Sequence, residues 1–215
     1  MKRTPFVPLL ASVLLLSMVP RGAGAQEPPP VRQATIALDD KQLLRVNVSY
    51  RDVVDTATVT KLRGGLPTTI VMTAYVFRDG GGPGIAATYK SCRVIFDLWN
   101  EVYHIELSQS GAPKEDHISA TLEGVLRRCT ESDRLVVAPR SILAPPGSYY
   151  LGAIVEVNPV SAEMLDRIKR WVSRPADTTS AAPGDALFGS FVGLFAVRPG
   201  RADRQLSFRT QSFTL

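Results

Sequence analysis

Thr68-Thr69-Ile70-Val71-Met72-Thr73-Ala74-Tyr75-Val76-Phe77 is a ten-residue run of β-branched, aromatic and apolar side chains. Such residues fit a pleated, half-buried surface, so the stretch from Pro67 to Arg78 is expected to be a strand. The loop Asp79-Gly80-Gly81-Gly82-Pro83-Gly84 closes it. Thr88 to Leu98 and Glu101 to Leu107 follow as two further strands, with a tight connection at Trp99-Asn100. Three consecutive strands joined by short links predict an antiparallel meander.

Outward from this centre, Leu44, Val46, Val48 and Tyr50 alternate with Arg45, Asn47 and Ser49, a period of two that marks another strand. Asp52 to Leu62 carries β-branched residues that favour a strand. Asp52 or Asp55 as an N-cap and Gly64-Gly65 as a terminator favour a short helix, which is the expected form. Leu122, Val125, Leu126 and Cys129 recur at helical spacing, predicting a helix from about Ser119 to Thr130 that lays one stripe on the sheet. Arg134 to Pro139 and Tyr149 to Asn158 read as strands. Ser161 opens a second helix whose stripe is Leu165, Ile168 and Val172, ended by Pro175. Residues 174–186 form a flexible link, and Arg204 to Phe213 adds a last strand. The expected fold is α+β, an antiparallel β-sheet or β-sandwich with two or three packed helices, in a single domain over residues 35–215.

The N-terminus points to export. Lys2 and Arg3 precede an apolar stretch from Phe6 to Val19, and Ala23-Gly24-Ala25 fits signal-peptidase cleavage before Gln26. An uncleaved anchor is the rival, against which stand Pro8 and a run shorter than the roughly 20 residues a spanning helix needs. Residues 26–34, with Pro28-Pro29-Pro30, are expected to be an extended tether. The 215-residue chain has 45% apolar and 21% charged residues, which excludes wholesale disorder. Without residues 1–25 it holds 22 basic against 20 acidic residues, too even a balance for a nucleic-acid footprint.

Cys92 and Cys129 would meet an oxidising compartment after export, where they either pair as a disulfide or stay as two separately buried thiols. Leu98-Trp99-Asn100, Tyr149-Tyr150-Leu151, Asn158-Pro159, Leu187-Phe188-Gly189-Ser190-Phe191 and the closing Leu206 to Phe213 carry a resemblance. On these residues the chain resembles a family of exported Gram-negative proteins with a domain of unknown function. The resemblance covers nearly all of the chain after residue 25. It implies a β-rich protein of the periplasm or cell envelope without an established activity, in some members encoded near a two-component sensor kinase. It supplies no functional residue, and Gly80 to Gly82 and the link near Thr178 depart from it.

No catalytic constellation stands out. Gly189-Ser190 and Ser108-Gln109-Ser110-Gly111 lack the G-x-S-x-G frame of a serine hydrolase. His104 is expected on a solvated strand face beside Glu106, and His117 in a loop before a helix. Glu101, His104 and Glu106 do not share one face, so a metal site there is weak. Asp39-Asp40 and Glu115-Asp116 lack the spaced ligands of a calcium loop. The triglycine loop lacks the Gly-Lys-Ser/Thr of a phosphate cradle. No metal or cofactor is expected.

Leu187 to Val197 is the most unusual segment. As a helix it would align Phe188, Phe191, Val192 and Phe195 in one ridge. A buried core element is the expected role, and a docking surface for an envelope protein partner or the membrane surface is the rival. The expected function is a non-enzymatic, protein-binding or accessory component of the envelope. The alternative is a lipid- or small-ligand-binding module with a pocket lined by Phe77, Trp99, Tyr103 and Phe191. Oligomeric state stays open.

Overall fold

The structure, a computed structural model, describes residues 29–144, 146–159 and 202–215. Two short strands, β1 (Val31–Arg32) and β2 (Thr35–Leu38), lead into β3 (Leu43–Ser49). A 3-10 turn at Arg51–Val53 precedes α1 (Thr56–Arg63). Then come β4 (Thr68–Arg78), β5 (Ala86–Asp97), β6 (Val102–Gln109) and β7 (Glu115–Ser119). The helix α2 (Leu122–Thr130) runs straight into β8 (Glu131–Pro139). The described chain closes with β9 (Ser148–Val157), β10 (Arg204–Thr210) and β11 (Phe213–Thr214).

The fold is α+β. A large sheet has the order β1-β10-β9-β4-β5-β6-β7, with β11 beside β9, and a smaller sheet has the order β2-β3-β8. Every pair in the meander is antiparallel, and among the described strands only β1 and β10 run parallel. Ile70, Met72, Val76, Val94, Ile105 and Val155 of the large sheet pack on Leu44, Val46 and Leu135 of the small one, and Val125 of α2 joins them. The Thr88 hydroxyl ties the sheets together by donating to the Val136 carbonyl at 2.6 Å.

The expected meander is present and longer than its sequence pattern suggested. Residues 115–119 form β7, so His117 sits in a strand rather than in a loop. The helix behind it starts at Leu122 instead of Ser119, because Thr121 takes the N-cap and its hydroxyl accepts from the Gly124 N–H at 3.1 Å. In α1 the competition between caps goes to Asp55. Its carboxylate accepts from both the N–H and the hydroxyl of Thr58, each at 2.8 Å. Those bonds, the backbone one first, hold the Asp55 carboxyl down to about 2. Asp52 is engaged instead by Arg32.

The described part of the expected tether, from Pro29 onward, acquires structure. Val31 and Arg32 pair with Arg209 and Thr210, and the Arg32 guanidinium lies 4.8 Å over the Phe208 ring. The Gln211 carboxamide clamps the Ala34 main chain, accepting from its N–H at 2.9 Å and donating to its carbonyl at 2.6 Å. This detour breaks the last strand, so β10 ends at Thr210 and β11 resumes at Phe213 on β9. The expected helix from Ser161, the link at 174–186 and the signal peptide lie outside the described residues.

Cys92 on β5 and Cys129 on α2 form a disulfide with Cα atoms 5.3 Å apart, fastening the helix to the large sheet. The β6–β7 loop approaches β8 equally closely. Gly111 has a φ of 75°, and a Cβ added there would lie 2.9 Å from Cγ2 of Val136. Gly111→Ala is therefore expected to lower stability by about 1–3 kcal/mol. A urea midpoint unchanged from wild type would show that the loop yields without cost.

Candidate functional site

Two loops at one end of the large sheet present Leu66, Leu98 and Trp99 to solvent, three of the five large apolar side chains exposed among the described residues. In the β5–β6 turn the Asp97 carboxylate accepts from the main-chain N–H groups of Trp99 and Asn100 at 2.8 and 3.1 Å, and from Asn100 Nδ2 at 2.7 Å. These bonds, led by that of the Asn100 side chain, hold the Asp97 carboxyl below its ordinary value. They also fix the turn. Leu98 and Trp99 project from it, 60% and 95% exposed.

The α1–β4 loop lies against this turn. Gly65 has a φ of 75°, and a Cβ there would meet Leu98 Cδ1 at 3.3 Å and the Phe96 carbonyl at 3.4 Å. Only glycine suits that conformation and that approach. The next residue, Leu66, is 55% exposed, so three apolar side chains are displayed by neighbouring loops. Arg63, exposed in the last turn of α1, adds a cation just before them. A polar staple backs the same end: Asp203 accepts from Lys61 Nζ at 2.8 Å and from Asn158 Nδ2 at 2.6 Å, and Asn158 Oδ1 accepts from the Thr69 N–H at 2.7 Å.

A second group lies inside. Lys90 is only 4% exposed, and its ammonium donates to the Glu131 carbonyl at the α2–β8 junction. Burial pushes this lysine down to about 8, although the charges of Glu131 and Asp133 pull the other way. Tyr50 Oη and Ser132 Oγ are buried nearby on β3's end and β8, and neither makes a well-formed hydrogen bond among the described residues. Burial raises the Tyr50 phenol far above its usual range, and the Ser132 hydroxyl offsets only part of this. Outside, a shallow concavity of about 450 Å³ opens over Gln33, Thr35, Asn47, Ser49, Glu131 and Ser132. Its one carboxylate, Glu131, is held by Arg51 at 2.5 Å, so the concavity offers neutral polar groups and no free charge of its own.

The residues weighed for chemistry are spread apart and engaged elsewhere. His104 Nε2 stands 3.8 Å from Asp97, and Glu106 pairs with Lys114 at 3.3 Å and Arg93 at 3.7 Å. His117 Nε2 and Glu115 share a 2.8 Å hydrogen bond. Asp39 closes the β2–β3 turn, accepting from the N–H groups of Lys41 and Leu43 and from Arg45 Nε. Among the described residues no group of three or more His, Cys, Asp or Glu is placed to hold a metal ion, and no helix is long and apolar enough to cross a membrane.

Phe77, Trp99 and Tyr103, the described members of the pocket in the alternative reading, lie on different surfaces. Phe77 belongs to a small cluster with Tyr75, Tyr150 and Ile154, Tyr103 points into the main core, and Trp99 stands in solvent. The pleat explains the separation, since Phe77 and Val76 point to opposite faces of the sheet. Phe188, Phe191, Val192 and Phe195 lie outside the described residues. Lys90 escaped notice in the sequence, yet its alternation with Thr88, Cys92 and Val94 places it on the cysteine-bearing face. No family model matches the chain, and neither a curated protein nor a solved structure matches it.

Proposed function

We propose that this chain is an exported, non-catalytic component of the Gram-negative cell envelope that docks on a partner protein through Leu66, Leu98 and Trp99. The observation that carries the reading is Trp99, 95% exposed on a turn held rigid by Asp97. Monomeric surfaces seldom display a tryptophan so fully, and a pre-ordered aromatic anchor loses little entropy when it enters a partner's pocket. Two flanking leucines and Arg63 provide the mixture of apolar centre and basic rim found where proteins meet. The disulfide supports an oxidising compartment.

Trp99→Ala should leave stability within about 0.5 kcal/mol of wild type, since the side chain is in water. It should weaken partner association about tenfold or more, as loss of a central tryptophan does at interfaces. A photo-crosslinking residue at position 99 should trap one discrete protein adduct on intact envelopes, and one at exposed Asp40 should not. Equal adducts from both positions, or association indifferent to Trp99→Ala, would refute the reading.

A further inference from the structure

The small sheet ends at β2, and one side of that strand meets β3 in the register Thr35↔Asn47, Ile36↔Val46, Ala37↔Arg45 and Leu38↔Leu44. The hairpin is closed by the Asp39 N–H donating to the Leu43 carbonyl at 2.9 Å. In an antiparallel ladder the main-chain groups turn alternately toward one neighbour and away from it. The odd positions 35, 37 and 39 therefore face β3, and the even positions face outward. Ala34 bears this parity out, because its N–H and carbonyl are held by the Gln211 carboxamide, which takes the place of a neighbouring strand. Beyond it, Ile36 and Leu38 each turn an N–H and a carbonyl outward, and among the described residues no strand pairs with that side.

Open edges invite pairing, and proteins blunt them with charge, proline or irregular backbone. The β7 edge carries Glu115, Asp116 and His117. The β8 edge carries Asp133 and Arg134, and Arg134 breaks the strand's regularity with a φ of 49°. By contrast, β2 reads Thr-Ile-Ala-Leu, with no charge, no proline and no positive φ.

We propose that β2 pairs with β2 of a second copy of this chain, antiparallel about a two-fold axis at Ala37, so that two small sheets join as one of six strands. The strand is its own complement. With Ala37 opposite Ala37 of the second copy, Ile36 comes opposite Leu38 and Leu38 opposite Ile36. Both are outward-bonding positions, so four main-chain hydrogen bonds form with none left over. The central pair is the non-bonded kind, whose Cα atoms approach to roughly 4.5 Å, and alanine is small enough to sit there. Ile36 and Leu38 lie half-buried against the core on the inner face, so the pairing also continues that face across the axis. A contact of four residues per copy is small, and the association is reversible and concentration-dependent.

Sedimentation of the chain lacking residues 1–25 tests this. The weight-average mass should rise with concentration to twice that of one chain. Ala37→Lys keeps the N–H that faces β3 and sets two ammonium groups opposite each other across the axis, so it should stay monomeric at every concentration. Ala37→Glu should do the same, and an equimolar mixture of the two variants should recover the doubled mass. A wild-type protein that remains monomeric at millimolar concentration overturns the proposal, as does a mixture that fails to associate while both variants unfold cooperatively. Trp99→Ala should dimerise like wild type, which separates this edge from the docking end. Loss of dimer in that variant would also overturn the assignment.

Discussion

Replacing Cys92 and Cys129 together by alanine is expected to cost about 4 kcal/mol of stability. The two cysteines are 37 residues apart, so the bond removes a large closure entropy from the unfolded chain. Its position in the native state adds to this. In α2 the buried side chains are Val125, Cys129 and Thr130, with Leu122 partly buried against the same core, so the disulfide sits among the helix's main contacts with the sheet. A domain of this kind has roughly 5–15 kcal/mol to lose in total, and the variant should unfold at a far lower urea midpoint. Wild-type protein in excess dithiothreitol should match it. A loss under about 1 kcal/mol would mean that Val125, Leu122 and the β8 connection anchor α2 without the bond.

The second large effect has the opposite sign. Lys90→Met removes a buried ammonium that has one hydrogen-bonding partner and keeps most of the side chain's volume beside Met72. It should stabilise the protein at pH 7 by about 1–3 kcal/mol, net of the bond lost by the Glu131 carbonyl. The pH dependence follows from the direction of the shift. The folded lysine sits at about 8 and its unfolded counterpart at the ordinary value of 10.5, so between these the unfolded state binds more protons. Wild-type stability should therefore rise as pH climbs from about 8 toward 10, and the methionine variant should show no such rise. Above pH 10 both proteins should weaken, because Tyr50 stays neutral when buried and ionises on unfolding. Urea titrations at pH 7, 8, 9, 10 and 11 measure all of this. A variant less stable than wild type at pH 7 would show that the ammonium contributes more through the Glu131 carbonyl than its burial costs.

Much of the fold was legible locally. The run from Thr68 to Phe77 announces a strand because almost every residue in it resists a helix, and the short links after it leave antiparallel neighbours as the economical geometry. Asp55 and Gly64 delimit α1 through cap chemistry that needs only adjacent residues. The end proposed for docking was half legible: Leu98-Trp99-Asn100 marked a turn, but nothing local brings Leu66 beside it. That juxtaposition depends on Gly65 meeting Leu98 across a gap of 33 residues in sequence. The separation of Phe77, Trp99 and Tyr103 was not legible, since their shared aromatic chemistry says nothing of the surface on which the pleat and the β5–β6 turn set each one.

The strand and helix periods, the expected caps, the cysteine count and the composition of each strand face can be read along the chain. Which face turns inward is set by packing between distant segments. On β5 one face offers Thr88, Lys90, Cys92 and Val94 and the other Tyr89, Ser91, Arg93 and Ile95, each with one cation among uncharged residues. Pairing with Met72 and Ile70, and the bond to α2, turn the lysine-bearing face inward. Strand order was likewise beyond local reading: β9 lies against β4 and receives β10, β1 closes on β10, and Gln211 completes the edge at Ala34. Periodicity reports only what repeats along a chain. Which surfaces meet depends on summed burial between segments tens of residues apart, and those energies exist only once the sheets have packed.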